Sequence, residues 1–327
     1  MFSMRFDLRV PGKTPAQISE EYRTAIDMAR WADDKGCTTL GVSEHHAAAD
    51  GYIPSPLVLA SAMAAVTNNA RIMVGAALLP MYDPVRLAED MIVLDHISGG
   101  RVSYVLGIGY RPQEYQLYGL DFAKRGAIAD AKLAKLLETL REASGSGAAP
   151  HVTPPSFTPG RPAIAWGGAS KAAARRAGRN GLGFFAQIDT PGLREAYVEA
   201  AREAGFEPGM CVLPTRAVPG TVFVHDDLDE GWNEVGPYLL ADATMYAGWN
   251  KDTGHDTVNL STGRTIDELR AERAAHQVLS VGEAIESARR WGRLPLNPLC
   301  GGCPPDVAWR YLKRAVGEVV PALRVSP

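Results

Sequence analysis

The stretch Thr38-Thr39-Leu40-Gly41-Val42-Ser43-Glu44-His45-His46 decides how this chain is read. Thr38 to Val42 is an apolar run of strand length with no alternation of polar and apolar positions. Such a run suits a parallel strand covered on both faces. The polar triplet Glu44-His45-His46 stands where that strand ends. In α/β barrels and in open parallel sheets, the carboxyl ends of the strands are where chemistry is placed.

Working outward, strand-like and helix-like segments alternate. Arg5 to Val10 is expected to be the first strand. Thr14-Pro15-Ala16-Gln17 opens a helix, with Thr14 as cap, Pro15 in the first turn and Gln17 as capping-box partner. Ile18, Tyr22, Ala25, Ala29 and Ala32 form its apolar face, and Gly36 ends it. Ser55-Pro56 starts a second helix and Asp83-Pro84 a third, which Gly99-Gly100 closes. Between them lie the apolar strands Arg71 to Leu79 and Val102 to Gly107. Arg125 to Ala143 reads as helix.

Further strands are expected at Pro162 to Trp166, Gly181 to Gln187, Val218 to His225 and Leu294 to Leu299. Ser280-Val281-Gly282-Glu283 caps a late helix, and Pro305 to Leu323 forms the last. Eight strands alternating with helices predict an α/β fold, a (β/α)8 TIM barrel with insertions. A doubly wound open sheet is the alternative. It lacks a dinucleotide fingerprint after the first strand. One domain over 1–327 is expected, with a Gly/Ser/Pro-rich linker near 144–160 and an aromatic-containing insertion near 226–277.

Composition narrows the function classes. The chain has 327 residues and a formal net charge of −3, which gives no sign of binding to nucleic acid or an anionic membrane. No uncharged stretch is read as a membrane span. The first residues lack the features of a signal peptide, and four cysteines are too few for a disulfide scaffold. A cytoplasmic protein is therefore expected. Cys300-Gly301-Gly302-Cys303 has the spacing of a redox pair or half a zinc site. Without a second pair or a thioredoxin-like unit around it, neither role is expected, and no metal is assigned.

In a barrel the strand ends converge on one face. They would bring together Glu44-His45-His46, Gly75-Ala76-Ala77, Gly107, Gly109-Tyr110-Arg111 and Gly167-Gly168-Ala169-Ser170-Lys171. Small residues at neighbouring strand tips either pack tightly or leave room for a flat ligand. A Gly-Gly-x-Ser turn into a helix offers backbone N–H groups, a hydroxyl and, from Lys171, an ammonium to an anion. Together these features suggest a phosphorylated aromatic cofactor. Tyr110 and Trp166 are candidate pocket aromatics, with the core as the alternative for both.

Several linked motifs resemble the bacterial-luciferase-like flavin monooxygenase family. They are Glu44-His45-His46, Pro54-Ser55-Pro56-Leu57, Val74-Gly75-Ala76-Ala77, Leu79-Pro80, Asp83 to Asp90, Leu94-Asp95, Ser98-Gly99-Gly100-Arg101 and Gly109-Tyr110-Arg111-Pro112. The Gly167 to Ser170 turn and the segment from Pro298 to Pro321 extend the likeness to most of the chain. The stretch from Ala143 to Pro162 and the insertion after Asp226 match poorly.

The resemblance implies a TIM barrel with insertions that binds FMN or the deazaflavin F420. It implies His45 as the active-site histidine. Beside it, Glu44 either orients a histidine or makes a helix-facing ion pair, and His46 reads as structural. The resemblance also implies a non-proline cis peptide at Ala76-Ala77 under the flavin ring. Gly75, Ala76, Ala77, Gly107, Gly109 and Tyr110 would lie at the ring, and Gly167, Gly168, Ala169, Ser170 and Lys171 near the phosphate. Two positions depart from the pattern. Ile108 stands where some relatives carry a phosphate-binding arginine, leaving Lys171 or Arg111 to compensate, and Gly75-Ala76 stands where many have Gly-Thr.

The implied activity is that of a monooxygenase using reduced FMN and O2 on a small organic substrate, with FMN supplied by a separate reductase. Ser43-Glu44-His45-His46 resembles the FMN branch more than the F420 branch, which often has Asp-His there. An F420-dependent hydride transfer without oxygen chemistry is the alternative, and a flavin-binding protein that does no chemistry is a third. A homodimer is implied, with Ala60, Ala62, Met63, Ala64 and Ala65 offering small surfaces for helix packing, and burial against the barrel as an equal alternative for them.

Overall fold

The computed structural model describes residues 1–143, 152–215, 218–251 and 261–324. In chain order the elements are β1 (Phe2–Phe6), α1 (Pro15–Asp34), β2 (Cys37–Val42), α2 (Pro56–Ala65), β3 (Arg71–Leu78), α3 (Pro84–Ser98) and β4 (Val102–Gly107). Next come α4 (Pro112–Leu117), α5 (Arg125–Arg141), β5 (Ala163–Gly168), α6 (Lys171–Arg179), β6 (Gly183–Ala186), α7 (Leu193–Glu203) and β7 (Cys211–Val212). The last are β8 (Thr221–Val224), α8 (Leu228–Asn250), α9 (Ile266–Glu272), β9 (His276–Leu279), α10 (Val281–Trp291), β10 (Leu294–Leu296), α11 (Pro305–Arg314) and α12 (Val320–Arg324).

The chain divides into two compact units. One comprises Met1–Gly41, Ala48–Ile53 and Thr215–Pro327, and the other Val42–Ala47 and Pro54–Pro214. In the first unit the strand order is β10-β1-β2, with β8 and β9 forming a separate parallel pair. In the second it is β3-β4-β5-β6-β7, all parallel. Parallel strands joined through helices make this an α/β fold, as the apolar, non-alternating strands predict.

The caps behave as expected. Thr14 and Gln17 form a capping box at α1, and Ser280 and Glu283 form another at α10. The Asp83 carboxylate accepts the N–H groups of Val85 and Arg86 at α3, which ends at left-handed Gly99. Burial of Leu87, Met91, Ile92 and Leu94 holds α3 in place, each contributing about 1.5–3 kcal/mol relative to exposure.

Four expectations need correction. β1 spans Phe2–Phe6 rather than Arg5 to Val10, because Leu8 adopts a positive φ of 48° that extended pairing does not allow. Gly167 and Gly168 are the last residues of β5, paired with Phe185 and Ala186, and do not form a turn after it. The short strands β7 and β9 were not anticipated, and β9 falls where the insertion was expected to end. Of the residues expected to offer a helix-packing surface, Ala60, Met63 and Ala64 are buried, whereas Ala62 is half-buried and Ala65 exposed. Of the expected linker, 144–151 lies outside the described residues, as does 252–260 of the expected insertion. No helix among the described residues is long and apolar enough to cross a membrane.

Candidate active site

The segment Val42–Ala47 carries the Glu-His-His triplet, and its partners all come from the second unit. His45 Nδ1 lies 2.8 Å from Glu114 Oε1. Glu114 sits on α4, and the same oxygen accepts the backbone N–H of His46 at 3.0 Å and Nη1 of Arg111 at 3.4 Å. Arg111 also donates to the carbonyls of His46 and Ala47, at 2.6 and 3.3 Å. One carboxylate and one guanidinium thus clamp the main chain on either side of His45.

Glu44 faces the other histidine. Its Oε1 lies 2.6 Å from His46 Nε2, and its Oε2 accepts the Leu78 N–H and the Tyr82 hydroxyl, both at 2.9 Å. His46 Nδ1 is 3.3 Å from the Tyr118 hydroxyl. Both ring nitrogens of His46 are engaged, consistent with a structural histidine. Glu44 therefore orients His46, and the acid that holds His45 is Glu114.

The electrostatics fix the roles of the His45 atoms. Burial would raise the Glu114 carboxyl, but the hydrogen bond and charge of His45, the His46 N–H and Arg111 outweigh it and hold the carboxyl below the usual range. Ionised Glu114 only accepts, so Nδ1 carries the shared proton. In the neutral ring Nε2 is then the acceptor, assigned from this network. Nε2 lies 3.4 Å from the Tyr110 hydroxyl, and the two rings meet edge to face at 5.4 Å.

The register sets the small residues side by side. Gly75 pairs with Val105 and Leu78 with Gly107, while Leu106 pairs with Trp166. Ala76 and Gly107 face each other so closely that a Cβ on Gly107 would stand 3.2 Å from that of Ala76. Gly109 has a φ of +74°, and an added Cβ would meet the Glu114 carboxylate at 3.5 Å. Gly168 has no room for a Cβ, which would come 2.5 Å from Ala173. Several of these glycines thus serve protein packing in their own right. The cis peptide is Gly75-Ala76, one bond before the Ala76-Ala77 position the resemblance implied.

At the end of β5, Ser170 caps α6 through its hydroxyl, which accepts the Ala173 N–H at 3.2 Å. The N–H groups of Lys171 and Ala172 have no partner within the helix, and Lys171 and Ser170 are exposed. Trp166 is fully buried with Arg176 5.1 Å from its ring, so it is core rather than pocket lining. Tyr110 is half-buried against His45.

The sequence reading missed Glu114 and Tyr118. Helix α4 is only six residues long and leaves little periodic signal. Glu114 does lie three positions after Arg111, both on the loop and helix that follow β4. A buried acid in a turn already marked by Gly109-Tyr110-Arg111-Pro112 was the available clue.

Comparison with known proteins places this geometry in context. A family model described as luciferase-like monooxygenase matches residues 2–292. A 4-hydroxyprotoasukamycin monooxygenase of Streptomyces nodosus subsp. asukaensis is 34% identical over 96 residues, 29% of this chain and 26% of that protein. The alkanal monooxygenase alpha chain of Photorhabdus luminescens is 28% identical over 118 residues, 36% and 33% of the two chains. These matches span only about a third or less of the curated relatives' length.

Solved structures agree over the whole chain. Monooxygenase RslO1 from Streptomyces bottropensis superimposes with a TM-score of 0.73 at 20% identity, covering 98% of this chain and 99% of its own. The oxygenating constituent of 3,6-diketocamphane monooxygenase from Pseudomonas putida, in complex with FMN, gives 0.65 at 22%, covering 99% of each. The coenzyme F420 dependent tetrahydromethanopterin reductase of Methanopyrus kandleri gives 0.60 at 15%, covering 99% of each. The match of the family model to nearly the whole chain shows that this protein is an enzyme of the luciferase-like monooxygenase family.

Proposed function

We propose that this chain uses reduced FMN and O2 to oxygenate a small organic substrate, and that residues 1–327 form one closed (β/α)8 barrel. The observation that carries the reading is the buried His45–Glu114 pair, which presents Nε2 beside the Tyr110 hydroxyl. His45 is 7% exposed, so a proton accepted at Nε2 is exchanged in a site with little water. Glu44 is proposed to act through His46 and the Val42–Ala47 backbone.

The residues fit a flavin. Gly75, Ala76, Ala77, Gly107, Gly109 and Tyr110 would take its ring, their small side chains allowing approach to the backbone. Gly167, Gly168, Ala169, Ser170 and Lys171 would take its phosphate, through the α6 N–H groups and the ammonium. When bound in reduced form, the flavin supplies the electrons that activate O2. A separate reductase would deliver it. Four free cysteines suit a cytoplasmic location. For a homodimer, the exposed Val58, Val93 and Ile97 on α2 and α3 are the better surface.

The F420-dependent alternative draws support from the Methanopyrus kandleri reductase, whose fold resembles this one. The two readings separate in one experiment: anaerobic titration with reduced FMN and with reduced F420, then admission of O2 with oxygen uptake recorded. Tight binding of FMN with oxygen uptake is expected. Selective binding of F420 without uptake would replace oxygenation by hydride transfer. Unchanged turnover in His45→Ala would remove the role given to His45.

A further inference from the structure

A second cluster of buried polar groups lies entirely in the unit of Met1–Gly41, Ala48–Ile53 and Thr215–Pro327. Asp242 of α8, His276 of β9 and Cys300, just after β10, place a carboxylate oxygen, a ring nitrogen and a sulfur within 4.8 Å of one another. None is more than 2% exposed. The remaining atoms of two of these groups are anchored. His276 Nδ1 lies 2.9 Å from the Ser261 hydroxyl, and Asp242 Oδ1 accepts from Arg9 Nε at 2.7 Å. His276 Nε2 and Asp242 Oδ2, 2.9 Å apart, are thus the atoms turned toward each other. Anchoring the distal atom of a histidine or carboxylate is how metal ligands are oriented.

Asp7, Asp50 and Asp242 face Arg5 and Arg9, and Asp242 also faces His276. Arg9 donates to Asp50 as well, and its guanidinium lies 4.5 to 4.8 Å from the ring centres of Tyr246, Trp249 and Tyr52. Two buried acceptors, Asp7 Oδ1 and Asn297 Oδ1, have no hydrogen-bond partner among the described residues.

We propose that Asp242, His276 and Cys300 bind a divalent d-block cation, Zn2+ by its donor set. Sulfur, nitrogen and oxygen donors together suit zinc, whereas calcium and magnesium take oxygen. On binding, the Cys300 S–H bond breaks, its proton goes to solvent and the sulfur lone pair is given to the metal, with no change of oxidation state. Zinc–ligand bonds of about 2.0–2.3 Å set tetrahedral donors about 3.5 Å apart, so His276 Nε2 and Asp242 Oδ2, 2.9 Å apart, would exchange their hydrogen bond for the metal and separate slightly. The ion would tie α8, β9 and the turn after β10 together, independently of any flavin. Cys303, the other half of the Cys-x-x-Cys spacing, is outside the donor group.

The test uses the full chain, stripped by a chelator, dialysed and titrated with Co2+ as probe. One equivalent is expected to bind with a thiolate-to-cobalt charge-transfer band, and Zn2+ should displace it. Cys300→Ser should abolish the band. Ser261→Ala, which removes the hydroxyl 2.9 Å from His276 Nδ1, should weaken Co2+ affinity about tenfold to a hundredfold. X-ray absorption on the wild-type zinc form, expected to show one sulfur among nitrogen and oxygen donors, does not depend on any variant folding. Failure of the wild type to bind stoichiometrically, a band that survives Cys300→Ser, or a zinc environment without sulfur would each overturn the site.

Discussion

Around His45 each imidazole faces its own carboxylate, His45 with Glu114 and His46 with Glu44. Around Asp242 three carboxylates share two guanidiniums and one imidazole. The first cluster is built from partners at most 72 positions apart in the chain, and the second includes pairs separated by 233 and 290. The first closes its hydrogen bonds almost entirely within one loop and the elements beside it. The second depends on the chain returning to its own start near its end. A site made of nearby segments is written as a motif, whereas one made by closure of the fold is written nowhere in particular.

That contrast can be broken most forcefully at Asp242. Burial would raise its carboxyl, but the hydrogen bond and charge of His276, then Arg9 and Arg5, hold it well below the usual range. Asp242→Ala leaves Arg9 without one of its two hydrogen-bonded carboxylates at a site 1% exposed. Breaking a buried pair in this way costs about 3–5 kcal/mol, a large part of an ordinary domain's stability. Urea unfolding of the metal-free protein measures it. Asp242→Asn, which keeps an acceptor for Arg9, should cost less. An unchanged midpoint in Asp242→Ala would mean that the long-range cluster carries no stability of its own.

Next in size is the effect on catalysis at the short-range site. If His45 acts as general acid or base, His45→Ala should lower turnover by about 10²- to 10⁴-fold. Glu114→Gln should lower it by less, since the ring stays but Nδ1 loses its ionised acceptor. The same variant changes the response to acid. The folded Glu114 carboxyl lies below its unfolded value of about 4.3, so the stability it adds is complete above that value. As pH falls, the unfolded chain takes up its proton first, and the contribution is lost down through the folded pKa. Urea midpoints of wild type and Glu114→Gln should therefore differ at pH 7 and converge toward pH 3. Parallel curves would show that Glu114 is not held by its neighbours.

The same contrast explains what could be read in advance. The capped helices α1, α3 and α10 were legible because each cap is a local bargain between a side chain and the next turn. The motif residues Asp95 and Arg101 were legible too, though their work is structural. Asp95 accepts from Ser156 and Thr158, and Arg101 ties the carbonyls of Ala64, Thr67 and Ala70 together. His45 stood out through its place after β2. Glu114 did not, because nothing in a six-residue helix marks which acid turns inward. His276 and Asp242 were invisible for a stronger reason. No local pattern pairs residues 34 positions apart across an α-helix and a strand that sequence alone did not reveal.

The smallest effects test whether position within one site matters as much as position within the fold. Tyr82 and Tyr118 each offer a hydroxyl to the Glu44–His46 pair, at 2.9 and 3.3 Å. Burial, and then the Glu44 charge, push the Tyr82 hydroxyl far above its usual range, so it remains a donor at any working pH. Tyr82→Phe removes a neutral donor from a buried carboxylate and should cost about 1.5–3 kcal/mol. Tyr118 is 43% exposed, and water can replace its hydroxyl at His46, so Tyr118→Phe should fall within about 0.5 kcal/mol of wild type. A double variant should show near-additive costs, because the two tyrosines meet different atoms of the pair. Were Tyr118→Phe as costly as Tyr82→Phe, the outer edge of this site would be closed to water.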